Sequence, residues 1–442
     1  MTASSLQRGS AGRVVIIGGG SSAALSAVRL AEQGFQVTVL EKASQGNGSS
    51  SRSAAGIRAQ FGVEETIIGM RYSEWWYTYF HDHLHVPAEG RIQPVIRQNG
   101  YLFLYEDPER AAPVWNLRLR REMAAAWQGA QEHAALQRRL GVPVELLGPD
   151  EIGRRWPHLD TSRLIGATWG PEDGFLVPDM IYREGFRRAQ ELGVELREQT
   201  EVLGATVGDG RILSLQTTRG PVEADWYVNA TNAWAPRVSQ RLHGMSLPIV
   251  PTKRYLYFWK PARPVMKPER WHDLPMTIYG MRGAHSRPEG ELLLLGWGCE
   301  TEPEPDFEDA DQDAIRPGFS HLEGVENFGY AVVQEIAPFV PFLADAGGLV
   351  ATTSGFYGMT PDGNPLIGYD AHLRNVIHAA GFSGHGLMHA PITAVLVTAL
   401  IAGEGSGGLV RLPPPFERYT INLAAFDPAR DFARSQKEAH VL

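Results

Sequence analysis

Residues 13–42 read RVVIIGGGSSAALSAVRLAEQGFQVTVLEK, and their order decides the fold. Val14–Ile17 is a β-branched, apolar run long enough for a strand buried on both faces. Gly18, Gly20 and Ala23 follow in a G-x-G-x-x-A pattern. Leu25, Val28 and Leu30, with alanines between them, predict a helix with a small-residue face, which Gly34 ends. Val37–Leu40 is a second strand, with Glu41 and Lys42 at its end. Gly18 permits a tight turn, Gly20 lets backbone N–H groups approach a pyrophosphate, and Ala23 lets the helix lie close to the strand. The helix start, at Ser21 and Ser22, offers unpaired donors and the positive end of the helix dipole to phosphates. A carboxylate about 20 residues after such glycines accepts from ribose hydroxyls, and Glu41 stands there. A glycine-rich turn in some other α/β protein is the alternative; strand, glycines, helix, strand and acid in succession favour a dinucleotide site.

Bulk properties narrow the class. A chain of 442 residues is long enough for two domains. Its 43% hydrophobic and 21% charged content is that of a soluble globular protein, and a net charge of −9 argues against a broad nucleic-acid surface. Cys299 is the one cysteine, so no intrachain disulfide can form and a reducing compartment fits. The opening residues lack a signal-peptide core, and the apolar run 392–402 is too short to span a bilayer. These readings predict a cytoplasmic protein without a membrane span.

Further along, the segment GNGSSSRSAAGIRAQFG at 46–62 carries backbone and hydroxyl donors that can wrap a flat, polyanionic cofactor. Residues 64–80 predict an aromatic-rich amphipathic helix with Trp75 and Trp76. His81, His83 and His85 alternate after it, but only Asp82 accompanies them, so a solvated helix end is read rather than a metal site. Residues 247–300 alternate rings and aliphatics, among them Tyr255, Tyr257, Trp259 and Trp297. That pattern suits an antiparallel sheet with one ring-lined face, either a substrate pocket or an aromatic core. The acidic stretch at 300–313 starts like a calcium loop, but Ala314 and Ser320 replace the glycine and glutamate that such a loop needs, so it reads as an exposed loop. Thr360–Pro365 is dense turn chemistry, and Val376–Ala380 enters a second glycine loop, GFSGHG, that opens a helix. Backbone donors there would hold a ligand portion that gathers negative charge.

Taken in order, GSSSRSAAGIR, VNATNAW, GFYGMTPDGNPLIG and HAAGFSGHGLMHAP, after the first glycine unit, resemble the flavoprotein family of D-amino acid oxidase, glycine oxidase, sarcosine oxidase and dimethylglycine dehydrogenase, across about residues 12–405. The resemblance implies an α/β fold: a glutathione-reductase-like FAD-binding Rossmann domain with an inserted antiparallel-sheet α+β substrate domain. It divides the chain into an FAD domain at 12–90, 150–240 and 345–410, a substrate domain at 91–149 and 241–344, and flexible tails at 1–11 and 430–442. It implies FAD held by Gly18, Gly20, Ser21, Ser22, Glu41 and Lys42 at the nucleotide end. Ser51, Arg52, Ser53, Ala55, Gly56 and Ile57 would lie beside the ring, and Val202 at the adenine. Ala230, Thr231, Trp234 and Gly355 complete the cleft, and Gly381, Ser383, Gly384, His385, Gly386 and Leu387 meet the pyrimidine.

Departures from the family pattern are equally specific. Ser53 and Gly355 stand near the places where relatives carry a flavin-linked histidine or cysteine, which implies FAD without a covalent bond. Tyr357 replaces the carboxylate-clamping arginine before the TPDG turn, as in the proline, sarcosine and dimethylglycine dehydrogenases. No lysine occurs at Leu292–Leu295, where sarcosine oxidases activate oxygen. The expected reaction is hydride removal from the carbon beside the nitrogen of a secondary or tertiary amine, with O2 or another electron acceptor. Arg58, Arg254, Tyr255, Tyr357 and His385 are the catalytic candidates, and Tyr257, Tyr279, Phe356 and Met359 further lining candidates. Two other readings stay open: oxidation of a bulky specialised metabolite, permitted by Trp75, Trp76, Trp259 and Trp297, and a non-catalytic flavoprotein that assists assembly of a redox complex.

Overall fold

A computed structural model of the chain describes residues 11–297, 328–345, 347–404 and 408–438. Cys299, the acidic stretch at 300–313, and the outer parts of both predicted tails lie outside the described residues.

The predicted strand–helix–strand unit is the middle of a six-stranded sheet ordered 366–369, 376–380, 226–229, 13–17, 36–40 and 195–197. All neighbours run parallel except Leu366–Tyr369, which is antiparallel to Val376–Ala380. Because side chains alternate across a strand, Val14 and Ile16 join the helical side while Val15 and Ile17 join a separate cluster. On the helical side pack Ser21–Glu32, Glu64–Thr78, Pro178–Glu191 and Gly386–Ala402. The other side is covered by the hairpin Val202–Gly208 and Arg211–Thr217. Helix Gly386–Ala402 is buried from Leu387 to Ile401, as a helix apolar on every side must be. Gly185 lets two helices touch, since a Cβ there would stand 2.9 Å from Ala24 Cβ.

A second, eight-stranded sheet is ordered 347–359, 250–261, 292–297, 284–289, 276–279, 101–106, 164–170 and 145–147. Its pairs are antiparallel apart from Met276–Tyr279 with Tyr101–Glu106. Two predicted boundaries are corrected here. Leu164–Gly170 and Gly347–Met359 fall in stretches assigned to the FAD domain, yet both belong to the second sheet. Each strand finds its hydrogen-bond partners there, and 347–359 carries Tyr357 back toward the first sheet. The ring-lined face is an aromatic core. Tyr255, Tyr257, Trp259 and Trp297 pack with Trp271, Tyr279, Leu295 and Phe339 on one side of the sheet.

The tail predicted to be flexible from residue 430 is docked. Arg430 clamps Asp362 of the Thr360–Pro365 turn through two bonds of 2.7 Å, with the two side chains 5% and 0% exposed. Glu438 takes the Gly62 N–H at 2.7 Å, and Gln436 Nε2 donates to Gly62 O at 2.9 Å. Burial works to raise the Asp362 carboxyl, but the Arg430 guanidinium overrides it and holds the group below its ordinary value. Arg430→Ala leaves a buried carboxylate without its cation and is expected to cost about 3–5 kcal/mol in urea unfolding. A folded-state value below the unfolded one stabilises above the unfolded pKa, roughly 3.9, and the gain is lost as pH falls through the folded value. The gap between wild type and variant should therefore close on acidification.

Candidate flavin cleft and adjoining cavity

Two helix N-termini open on one cleft of about 410 Å³. The first helix starts at Ser21 after the turn at Gly18, Gly19 and Gly20; the second starts at Gly386 after Phe382 and Gly384. Leu40, Glu41, Lys42, Thr200, Val202, Ala230, Thr231 and Trp234 line the first end. Asn47–Ser50, Arg52, Ser53, Gly355, Phe356 and Tyr357 line the side toward the second. The loops thus lie at opposite ends of the sequence and on one void.

The residues present fit FAD. Ser21 Oγ is buried at the first helix start with no hydrogen-bond partner among the described residues, as a hydroxyl that meets a phosphate would be. Gly18 has φ +112°, and a Cβ there would lie 2.8 Å from Ala230 O. Gly384 has φ +92°, and a Cβ there would lie 2.4 Å from the Tyr357 ring. Glu41 Oε2 accepts from Gly19 N at 2.6 Å and Oε1 from Ala43 N at 2.8 Å. Burial raises the carboxyl while these N–H groups oppose the rise. A carboxylate with two oxygens keeps lone pairs for ribose hydroxyls after both bonds. Of the non-glycine residues in the left-handed region, Asn232 (φ 47°) lines the cleft, and Ala55 (φ 58°) and Ser383 (φ 47°) line the cavity beside it.

Beside the cleft, and sharing Ser53, Tyr357 and Gly384 with it, is a cavity of about 30 Å³. That volume holds about two or three waters. Its other lining includes Ala55, Gly56, Arg58, Tyr101, Met276, His285, Ser383, His385 and Met388. Arg58 is 1% exposed and rests on rings, with its guanidinium carbon 4.2 Å from the Phe61 centroid, 5.3 Å from Tyr101 and 5.5 Å from Phe103. Its loop is fixed by Asp173, which accepts from Ala59 N at 3.0 Å and Gln60 Nε2 at 2.8 Å. Burial, and next the adjoining Asp173, raise the Glu74 carboxyl well above its ordinary value. Burial raises the phenols of Tyr357 and Tyr101, the latter to about 12, so both stay protonated. His385 packs edge-on to Phe61 at 5.0 Å, and its carbonyl meets His389 Nδ1 at 3.1 Å.

Most predicted cofactor residues therefore meet one of the two voids. Ser51 is instead exposed, Ile57 is packed in the core, and Gly381 (φ +68°) serves the turn against Thr360 and Ile249. Among catalytic candidates, Arg58, Tyr357 and His385 line the smaller cavity. Arg254 abuts Tyr357 at 5.5 Å without lining it. Tyr255 is corrected: neighbours on a strand face opposite sides, so it points with Tyr257 into the aromatic core, away from Arg254. Tyr279 joins the same core. The bulky pocket loses its lining as well. Trp259 and Trp297 are core residues, and Trp75 and Trp76 pack around His83, with centroids 5.0 and 5.2 Å away. His81 meets the Gln93 carbonyl at 2.9 Å, Asp82 pairs with Arg91, and no group of three His, Cys, Asp or Glu side chains that could hold a metal ion occurs among the described residues. Sequence reasoning missed Tyr101, Met276 and His285. The last two lie on neighbouring strands and reach the cavity only through pairing that a linear pattern does not display.

Comparison with known proteins agrees with this geometry. The DAO family, described as FAD dependent oxidoreductase, matches residues 13–400. FAD-dependent oxidoreductase domain-containing protein 1 of Xenopus laevis is 28% identical over 431 residues, 89% of this chain and 79% of that protein. Glycine oxidase of Geobacillus kaustophilus (strain HTA426) is 26% identical over 399 residues, 88% of this chain and 92% of that protein. The crystal structure of L-proline dehydrogenase from P. horikoshii is similar with a TM-score of 0.76 at 28% identity, covering 97% of this chain and 99% of that one.

Proposed function

The chain belongs to the DAO family of FAD-dependent oxidoreductases, and from that premise we propose that it oxidises the carbon–nitrogen single bond of a small secondary or tertiary amine that carries a carboxylate, such as an N-methyl or cyclic amino acid. The observation that carries the reading is the buried Arg58 in a small cavity shared with the flavin cleft. A guanidinium fixed on aromatic faces is a pre-organised partner for a carboxylate. FAD, when bound, supplies the acceptor for the hydride that leaves the carbon next to nitrogen.

The protein's own part is placement. Arg58 holds the carboxylate, and Tyr357, at the junction of cleft and cavity, donates its hydroxyl. Aromatic and backbone walls exclude water, so the imine forms in a dry site. Ser53 and Gly355 offer neither a thiol nor an imidazole to the ring, which supports non-covalent FAD. Trp259 and Trp297, which a bulky pocket was expected to use, are core residues, and the names of the glycine oxidase and proline dehydrogenase relatives support the reading. No helix among the described residues is long and apolar enough to cross a membrane.

The test is an anaerobic titration of the holoenzyme with sarcosine, dimethylglycine, L-proline and pipecolate, followed at the flavin absorbance, and then admission of air. Bleaching by at least one is expected. Slow return of colour would identify a dehydrogenase and fast return an oxidase. A flavin left oxidised by all of them would overturn the proposal and favour a non-catalytic role.

A further inference from the structure

Resting on the amine reading above, and on its secondary-amine branch, we infer that His285 recognises the substrate nitrogen: its Nε2 accepts the N–H of an uncharged secondary amine while Arg58 holds the carboxylate. The site would thus take the substrate as its anion, with the ammonium proton left in solvent.

The tautomer follows from the geometry. His285 Nδ1 lies 3.1 Å from Gly283 O, an atom that can only accept, so Nδ1 carries the hydrogen. In the neutral ring Nε2 is then a pure acceptor, and no protein donor meets it among the described residues. The ring lies against Gly296, its cross-strand partner, where a Cβ would stand 2.3 Å from Nε2. Any side chain at 296 would take that seat. His285 lines the same cavity as Arg58.

Three guanidiniums act on His285, of which Arg287 is paired with Glu289 and Arg58 lies near Asp173. Arg58 faces His285 from the 56–58 segment, Arg254 from strand 250–261, and Arg287 from its own strand. Tyr101, Tyr357 and His385 are the other titratable groups lining the cavity. Arg287 is fixed, with Nε donating to Ala54 O at 2.6 Å. Burial first, and these guanidiniums next, push the imidazole down to about 4, so it is neutral at physiological pH. A neutral acceptor at Nε2 takes the single N–H of an uncharged secondary amine, and the nitrogen keeps the lone pair that its oxidation requires.

Two planar acids that hydride removal does not oxidise isolate this contact: pyrrole-2-carboxylate, which presents a neutral N–H, and 2-furoate, which places an ether oxygen there. Binding to oxidised holoenzyme is read by calorimetry and by perturbation of the flavin spectrum. The pyrrole acid is expected to bind about 2- to 10-fold more tightly, the range for one hydrogen bond. The preference should vanish in His285→Ala and survive in part in His285→Gln, whose carbonyl can accept. L-Proline binding should tighten with pH until its own ammonium has titrated. Equal wild-type affinities for both acids, with amine bleaching intact, would overturn the His285 assignment and leave the amine reading standing. Failure of every amine to bleach the flavin would instead remove the reading on which it rests.

Discussion

Gly18→Val is expected to fold and to purify colourless. The residue has φ +112°, and its Cβ position is 2.8 Å from the oxygen and 3.1 Å from the carbonyl carbon of Ala230. Both atoms are backbone, and Ala230 N is bonded to Ile17 O at 2.9 Å, so neither side can yield without breaking the join between adjacent strands. Backbone strain of about 1–3 kcal/mol adds to overpacking of about 1–3 kcal/mol. Relief comes by opening the turn that aims the helix start at the pyrophosphate. If that strain falls on the bound state, affinity drops by roughly 30-fold to 10⁴-fold. The flavin-to-protein absorbance ratio of purified protein and calorimetric titration of the apoprotein with FAD measure this; circular dichroism checks the fold. Gly34→Ala is the control. Gly34 also has positive φ (+88°), but nothing lies within 4 Å of its Cβ and it is remote from the cleft. It should lose a little stability and keep its colour. A yellow Gly18→Val protein with wild-type FAD affinity would show that this turn does not cradle the phosphates.

The contrast between these two glycines shows what a linear reading can reach. A nucleotide loop is local: strand, turn, helix and acid follow each other within 30 residues, and each has its own steric signature, so the first end of the cleft was legible. The second end was legible for the same reason, because Gly381–Gly386 runs directly into its helix. The substrate side is not local. Tyr101 pairs with Met276, Ile278 with His285, and His285 with Gly296, so the cavity is assembled by register between strands more than 170 residues apart in the first case. Alternation showed that Tyr255 and Arg254 face opposite ways but not which face is the core. The rings decided it, since a sheet packed against Phe339 and Trp271 buries more apolar area on that side. The tail was misread because Arg430, Gln436 and Glu438 look solvated in sequence. Their partners, Asp362 and Gly62, lie far back along the chain.

Arg58→Ala is expected to lower kcat/KM for a carboxylated amine by about 30-fold to several thousand-fold, the equivalent of about 2–5 kcal/mol for truncating one side of a buried charge pair. The size follows from the setting. Arg58 is 1% exposed, and its charge is held at 4.2 Å from the Phe61 ring and within 5.5 Å of two more. Its Nε donates to Gln60 O at 3.4 Å, and Asp173, in the same network, accepts from Ala59 N and Gln60 Nε2, so the guanidinium is held in one place. Arg58→Lys should recover only part of the loss, because an ammonium lacks the planar fork and stacks poorly on rings. A structural role would also reduce activity, and substrate truncation separates the two. Pyrrolidine has the ring and nitrogen of L-proline without the carboxylate. If Arg58 clamps that group, the variant should lose most of its rate with proline and little with pyrrolidine, which is already slow with wild type. Pyrrole-2-carboxylate binding to oxidised enzyme should weaken in parallel, independently of turnover. Equal losses with proline and pyrrolidine, together with a lowered urea midpoint, would mean that Arg58 only holds Phe61, Tyr101 and Phe103 together, and the carboxylate would have to be sought at Arg254.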